Sequence, residues 1–175
     1  MFRVLSEKLF FNACVPEKSS SGTHVFLSLG SNQGDKKKYL ENALGLLQEN
    51  GFHLLKVSSI YETDPVGCEE GAENFYNIAV EGIWQEQDAF QLLALCKKIE
   101  TISGRPPDHP HWVSRNVDID IIFFGEEAIR TPVLTIPHPL AGQRKFVMAP
   151  LAEIAPEKIF PGTGKNCREL DRELE

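Results

Sequence analysis

The sequence contains few cysteines, and their spacing fits neither a metal site nor a redox motif. The four are Cys14, Cys68, Cys96 and Cys167, with no Cys-x-x-Cys pair and no paired histidine nearby. The common zinc and dithiol patterns are therefore excluded. Cysteines without such a pattern favour a reducing compartment.

Long apolar runs are also absent. No stretch approaches the roughly 20 apolar residues that a transmembrane helix needs. The apolar run at residues 9–15 is short, is interrupted by Asn12 and is flanked by Glu7 and Lys8, so it differs from a signal peptide. We therefore predict a cytoplasmic protein with no membrane partner.

Positive charge is in deficit as well. Lys and Arg number 18 against 25 Asp and Glu, which gives a net charge of −7. This balance argues against a nucleic-acid or anionic-membrane partner, although it permits a local basic site for phosphate. The Gly-x-x-x-x-Gly-Lys-Ser/Thr loop is missing too, which excludes an ordinary P-loop kinase.

Apolar spacing and helix-capping residues divide the chain into an ordered series of elements. Asp35 and Asp88 are suited to be helix N-caps, and each precedes apolar residues at helical spacing. Stretches rich in β-branched and aromatic residues lie between and after these helices. In chain order we predict a strand at His24–Leu29, a helix after Asp35, strands at 52–61 and 75–84, a helix after Asp88, a strand at 115–124 and a helix near 143–154.

This order predicts an α+β fold of the ferredoxin-like βαββαβ type. Both helices would pack on one face of an antiparallel sheet, and a C-terminal extension of loops and a helix would follow. A length of 175 residues suits one domain with a sizeable core. We assign that single domain to residues 24–175.

Residues 1–23 are predicted to be an N-terminal extension outside this domain. They end in Ser19-Ser20-Ser21-Gly22, which has the composition of a flexible linker. Two interpretations remain open: a disordered segment, or the remnant of a neighbouring domain.

The most informative motif is an Asp-x-Asp pair in the last predicted strand. Side chains alternate across a strand, so Asp118 and Asp120 share one face while Val117, Ile119 and Ile121 share the other. The two carboxylates then lie about 7 Å apart along the strand. Such a pair suits Mg²⁺, which proteins hold with one or two carboxylates plus substrate phosphates. The alternative is a solvated sheet face.

A loop rich in cations precedes the aspartates. It carries Arg105, His109, His111, Trp112 and Arg115. Cations beside a carboxylate pair are what a metal–polyphosphate site requires, because arginine side chains bind phosphate oxygens while the metal neutralises their charge. A solvated loop with surface ion pairs is the alternative.

Two further groups are candidates for ligand contacts. His138 lies between two prolines and precedes Arg144, so it is a candidate phosphate or leaving-group contact or, alternatively, a packing or surface residue. Phe75 and Asn77 share a strand face, where an aromatic ring and an amide can bind a planar heterocycle; ordinary core packing is the alternative. The segment Thr63–Gly67 is most simply a turn.

Taken together, these motifs resemble the 6-hydroxymethyl-7,8-dihydropterin pyrophosphokinase family of folate biosynthesis. The resemblance covers residues 24–161 and rests on the order and spacing of landmarks that are each weak alone. They are Leu29–Asn32, Ser59–Gly67, Phe75–Asn77, Ile99–Glu100, Gly104–Arg105, Trp112–Asp120 and Ile136–Pro139.

The resemblance implies a reaction and a set of site residues. The family transfers the β,γ-pyrophosphate of ATP to the pterin hydroxymethyl group, releasing AMP, with two Mg²⁺. Asp118 and Asp120 would hold both metals and, with Arg105 and Arg115, would be catalytic. The other implied contacts divide into an ATP side (Glu100, Arg105, Trp112, Arg115, Ile119, His138, Arg144) and a pterin side (Thr63, Pro65, Val66, Gly67, Phe75, Asn77, Phe146).

The sequence departs from the family pattern in the cation-rich loop. Pro107 stands where the family often has a second arginine, and Val113-Ser114 replace its usual Gly-Pro. Fusion or proximity to other folate enzymes is left open by the sequence. Two rival functions share the fold order, namely an RNA-binding module and a small-molecule-sensing domain.

Overall fold

The computed structural model describes residues 2–5, 9, 22–65, 71, 73–104 and 116–174. Its strands are β1 (Phe2–Leu5), β2 (Thr23–Ser31), β3 (Phe52–Val57), β4 (Ile60–Thr63), β5 (Phe75–Trp84), β6 (Asp118–Phe124), β7 (Ile129–Arg130) and β8 (Thr135–Ile136). Its α-helices are α1 (Lys36–Glu49), α2 (Ala89–Ile102), α3 (Lys145–Ile154) and α4 (Cys167–Glu173), and a 3₁₀ turn spans Ala141–Gln143.

The central sheet is antiparallel and confirms the predicted βαββαβ core. Its strand order is β1–β4–β5–β2–β6, and β3 pairs with β5 beyond the end of β4. Helices α1 and α2 both pack on one face, as predicted. Their apolar stripes, which include Leu40, Leu47, Leu92 and Ile99, are buried against that face.

The predicted helix starts are also observed. The Asp35 side chain accepts a hydrogen bond from the backbone N–H of Lys38 at 3.1 Å, and that of Asp88 accepts one from Phe90 at 2.8 Å. Both carboxylates satisfy amide groups that the first helical turn leaves without partners. Gly104 follows the end of α2 with φ +98°, a conformation that favours glycine.

The predicted strand at 52–61 is in fact two strands, which is a correction. The chain breaks at Ser58 and Ser59, and the second strand continues to Thr63. The Ser58 side chain accepts a hydrogen bond from the Ala79 N–H at 2.9 Å, while the carboxylate of Glu153 in α3 accepts from the Ser59 amide at 3.0 Å. These long-range bonds fix the break, and no local pattern reveals them.

The C-terminal part covers the opposite face of the sheet. Helices α3 and α4 bury a second apolar cluster, whose sheet residues include Phe26, Ala79 and Ile122. The helix predicted near 143–154 begins at Lys145, after the 3₁₀ turn. None of the described helices has the length and apolarity needed to span a bilayer.

Strand β6 contains an irregularity in its pairing with β2. Leu27 lies opposite Ile121 and Phe26 lies opposite Phe123, so Ile122 is an extra residue with no partner in that register. The Ile122 carbonyl accepts a hydrogen bond from the His138 N–H at 3.1 Å. A bulge of this kind redirects the side chains that follow it.

The predicted N-terminal extension contributes to the sheet where the structure describes it. Residues 2–5 form β1, which pairs with β4 at the sheet edge. Leu9 is buried in the first apolar cluster. Thr23, the last residue of the predicted extension, is the first residue of β2.

At the end of β5 remote from the aspartates, Glu81 joins two other strands. Its carboxylate lies 2.9 Å from His24 Nε2 and 2.9 Å from Lys56 Nζ. Burial alone would raise the pKa of Glu81, but the hydrogen bonds and positive charge of His24 and Lys56 outweigh burial and lower that pKa.

We predict that Glu81→Gln lowers the free energy of unfolding at pH 7 by about 1–3 kcal/mol, because the charged hydrogen bonds are lost. The depressed pKa of Glu81 stabilises the fold above its unfolded-state pKa, and this contribution disappears as the pH falls through the folded-state pKa. Urea unfolding at decreasing pH should therefore show the variant converging on the parent protein once the pH has fallen through the folded-state pKa of Glu81, which lies below that of an ordinary glutamate. Exposed Glu86→Gln is the control, and an equal loss there at pH 7 would contradict the assignment.

Candidate active site

The site is organised by the register of three neighbouring strands. Asp118 lies opposite Gly30, and Gly30 lies opposite Asn77 on its other side. Residues directly opposite in antiparallel strands project on the same face. A row across the sheet therefore has a carboxylate at one end, an amide at the other and no side chain between them.

The two aspartates lie as strand alternation predicts. Asp120 lies opposite Ser28, one step along the same face from Asp118. On the reverse face, Val117 and Ile119 are each only 1% exposed, and they pack in the first apolar cluster. The side chain of Asp120 is 34% exposed, so this carboxylate is accessible from solvent.

Glu100 ties helix α2 to the strand that carries the aspartates. Its side chain is 1% exposed, and Oε1 accepts a hydrogen bond from the Ile119 N–H at 2.9 Å. Lys97 Nζ lies 3.0 Å from the other carboxylate oxygen and supplies the opposite charge. Because the Ile119 amide lies between Asp118 and Asp120, this bond holds the backbone from which both carboxylates project.

His138 approaches the aspartates from the loop after β8. Its Nδ1 accepts a hydrogen bond from the Leu140 N–H at 3.3 Å, which assigns the ring proton to Nε2. Nε2 lies 4.0 Å from Asp120 Oδ2. Burial and the positive charge of Arg144 lower the pKa of His138, against the opposing effect of Asp118.

The amide end of the row is bounded by β4 and β5. Asn77 Nδ2 donates to Thr63 Oγ1 at 2.9 Å, and both side chains are buried. A Cβ placed on Gly30 would lie 3.2 Å from Asn77 Oδ1 and 3.7 Å from the Phe75 ring. Phe75 and the amide of Asn77 thus line a space that glycine keeps open, with polar and aromatic contacts suited to a planar heterocycle.

Helix α3 supplies another aromatic group. Arg144 immediately precedes α3, and its guanidinium carbon lies 5.7 Å from the centre of the Phe146 ring. This is cation–π distance. The residue expected on the ATP side and the one expected on the pterin side are therefore in contact.

The structure brings most of the predicted residues into two neighbouring groups. One surrounds β6 and comprises Glu100, Asp118, Ile119, Asp120, His138 and Arg144. The other surrounds β4 and β5 and comprises Thr63, Phe75 and Asn77, with Pro65 two residues beyond Thr63. Arg105, Trp112, Arg115, Val66 and Gly67 lie outside the described residues.

Sequence reasoning missed the role of Gly30. The motif Leu29–Asn32 stood out as a landmark, but only the register places Gly30 between Asp118 and Asn77. The available sequence signal was the position of Gly30, which follows the apolar run of β2 and precedes the polar residues Ser31 and Asn32.

The carboxylate pair fits a hard divalent cation. Within the described ranges, no group of three or more His, Cys, Asp or Glu side chains could hold a metal. Asp118 and Asp120 supply two carboxylates, and proteins commonly hold Mg²⁺ with one or two carboxylates together with phosphate oxygens and water.

Comparisons with known proteins identify the family. A model of the 7,8-dihydro-6-hydroxymethylpterin-pyrophosphokinase (HPPK) family matches residues 26–156. The 2-amino-4-hydroxy-6-hydroxymethyldihydropteridine pyrophosphokinase of Bacillus subtilis is 47% identical over 131 residues, which cover 74% of this chain and 77% of the relative. The enzyme of that name from Aquifex aeolicus is 36% identical over 149 residues, covering 85% and 91%.

Longer relatives match over part of their length. The mitochondrial folate synthesis bifunctional protein of Pisum sativum is 36% identical over 138 residues, which cover 79% of this chain and 26% of that protein. A crystal structure of Plasmodium falciparum HPPK-DHPS superimposes with a TM-score of 0.73 at 18% identity, covering 89% of this chain and 46% of that one. This structural likeness supports the fold alone.

The matched family range contains the sheet, helices α1 to α3 and the strand with Asp118 and Asp120. The chain belongs to the HPPK family and is a pyrophosphokinase of folate biosynthesis.

Proposed function

We propose that this chain transfers the β,γ-pyrophosphate of ATP to the hydroxymethyl group of 6-hydroxymethyl-7,8-dihydropterin, with AMP as the second product. The observation that carries the proposal is the row Asp118–Gly30–Asn77. It joins a pair of metal-type carboxylates to a space lined by an amide and an aromatic ring. Membership of the HPPK family favours this reaction over the two alternative functions, RNA binding and small-molecule sensing.

Asp118 and Asp120 would hold two Mg²⁺ against the phosphates of ATP. Bound there, the ions would neutralise phosphate charge and align the attacking and leaving oxygens. Glu100 fixes the backbone between the two ligands. His138 would donate from Nε2 to a phosphate oxygen, because its Nδ1 already accepts a hydrogen bond from the Leu140 N–H.

The pterin would bind at the amide end of the row. Phe75 and Phe146 would stack on its ring, and Asn77 and Thr63 would bond its polar edge, with Pro65, Val66 and Gly67 beside them. The hydrogen bond between Asn77 and Thr63 orients the amide so that Oδ1 faces the space above Gly30. An acceptor held in this way discriminates by hydrogen bonding, which rejects ring analogues that lack the matching donor.

The remaining residues would complete the ATP side. Arg105 and Arg115 would bind phosphate oxygens, Trp112 and Ile119 would contact the nucleotide, and Arg144 would add positive charge beside Phe146. ATP and the pterin are the proposed small-molecule partners. We also propose a cytoplasmic location. We propose proximity to other folate enzymes as well, because the related Plasmodium chain is an HPPK-DHPS fusion.

The nucleotide product tests the reaction. Incubation with ATP, Mg²⁺ and the hydroxymethyl pterin should release AMP in step with the pterin diphosphate, because attack at the β-phosphorus leaves AMP. Chromatography of the nucleotides measures this. Release of ADP instead would show single phosphoryl transfer and would overturn the proposal.

Substitution of the aspartates tests the metal site. Asp118→Asn and Asp120→Asn should each lower turnover by roughly 100-fold or more, because a Mg²⁺ loses an anionic ligand next to phosphate. The midpoint temperature of thermal unfolding should be unchanged or slightly higher, since one of two repelling carboxylates is neutralised. Calorimetric Mg²⁺ titration with bound ATP analogue should show weaker binding. The exposed Glu127→Gln is the matched control, and near-normal turnover in both aspartate variants would refute the site.

Gly30→Ala tests the space above the row. The added methyl group meets Asn77 Oδ1 at 3.2 Å, so the KM for the pterin should rise about tenfold while the KM for ATP changes little. Gly45→Ala in α1 is the control, because nothing lies within 4 Å of its added methyl group and alanine favours a helix. A pterin KM that is equal in both variants would remove Gly30 from the pocket.

A further inference from the structure

We propose that strand β1 is a positioning element of the pterin side, and that Phe2 braces the two walls of that pocket against each other. The inference rests on the proposed function, because it assigns β4 and α3 to pterin binding. It concerns a segment that precedes the matched family range of residues 26–156.

Strand β1 is anchored to the domain along its length. Its four residues pair in register with β4, and Phe2 lies opposite Thr63. Leu5 packs against the first apolar cluster, and Leu9 is buried within it at 6% exposure. The strand thus adds a second neighbour to β4, which pairs with β5 only through Tyr61–Thr63.

Register places Phe2 on the same face as the site. Thr63 lies opposite Phe75 on one side and opposite Phe2 on the other. Cross-strand neighbours project together, so Phe2 extends a row that runs Phe75–Thr63–Phe2. This row lies next to the row that contains Asn77.

Phe2 also contacts the helix side of the pocket. Its ring centre lies 5.6 Å from that of Tyr61, at an interplanar angle of 51°, and Lys145 Nζ lies 5.8 Å from the ring centre. Lys145 is the first residue of α3 and immediately precedes Phe146. The Lys145 ammonium group is held in turn by Asp171 of α4 at 2.9 Å.

Phe2 therefore links the strand that carries Thr63 to the helix that carries Phe146, in addition to the hydrogen bonds that Ser59 and Tyr61 donate to Glu153 of α3. Phe2 is 43% exposed, and an exposed apolar residue alone would carry no meaning. Its significance comes from contacts with both walls. The aspartates are on β6, at the opposite edge of the sheet, so the brace should act more strongly on pterin binding than on ATP binding, for which Arg144 beside Lys145 is the nearest group.

The test is the variant Phe2→Gln in the full chain. Loss of the ring contacts should raise the KM for the pterin roughly three- to tenfold, the range expected for one aromatic pair and one cation–π contact. The KM for ATP and kcat should stay within about twofold of the parent values. Phe2→Tyr keeps the ring and should restore the pterin KM.

Arg3→Gln is the matched control, with the same replacement at the adjacent position, whose side chain projects to the other face. It should leave all three constants unchanged. A pterin KM that is unaltered in Phe2→Gln, or raised equally in Arg3→Gln, would overturn the proposal.

Hydrogen exchange separates this proposal from the proposed function. Amide exchange across Ile60–Thr63 should be faster in Phe2→Gln than in Arg3→Gln, whatever reaction the chain catalyses. Unchanged exchange would show that Phe2 does not brace β4. If exchange is faster in Phe2→Gln but the parent protein forms no AMP, the bracing role of Phe2 would be supported and the proposed reaction would be refuted.

Discussion

The register of β2 between β5 and β6 is the constraint on which the site depends. Asp118 and Asn77 come from strands that do not pair with each other, and Gly30 of the intervening strand β2 sets them in one row. A slip of one residue would turn the β2 side chains to the opposite face and would bury polar groups against α1 and α2. The apolar residues of β2 on that face, Val25, Leu27 and Leu29, are fully buried, so the same packing energy that stabilises the fold also aligns the site.

The division of labour between the two faces follows from this arrangement. Helices α1 and α2 cover one face completely enough to bury Glu100, whose charge is balanced by Lys97 and whose hydrogen bond holds Ile119. Removing only one partner of such a group would leave a buried charge uncompensated. On the other face, α3 covers Phe26 and Ala79 at one end of the strands, while the polar row occupies the other end. The candidate binding groups therefore project from strands whose opposite face is packed against α1 and α2.

Local sequence patterns predicted the helix starts and the face of the aspartates correctly, because nearby residues alone determine these features. Asp35 and Asp88 cap helices because their carboxylates accept nearby amide hydrogens, and alternation placed Asp118 and Asp120 together. The break at Ser58 depends on contacts with β5 and α3 that are distant in sequence, so no local pattern predicts it. The role of Gly30 and the pairing of β1 with β4 likewise require the strand register. Roles for Arg105 and Arg115 stay predictions, because both lie outside the described residues.

The extra residue in β6 has a consequence for evolution of the site. The backbone N–H of His138 is hydrogen-bonded to the carbonyl of Ile122, two residues after Asp120. The distance between the imidazole and the carboxylate therefore depends on the local geometry of β6. Length changes in the β7–β8 hairpin leave that attachment point in place, because the hairpin lies between β6 and His138. Deleting the extra residue would shift the attachment by one strand position. A change in the length of the hairpin is therefore expected to alter the distance between His138 and Asp120 less than a deletion at the bulge would.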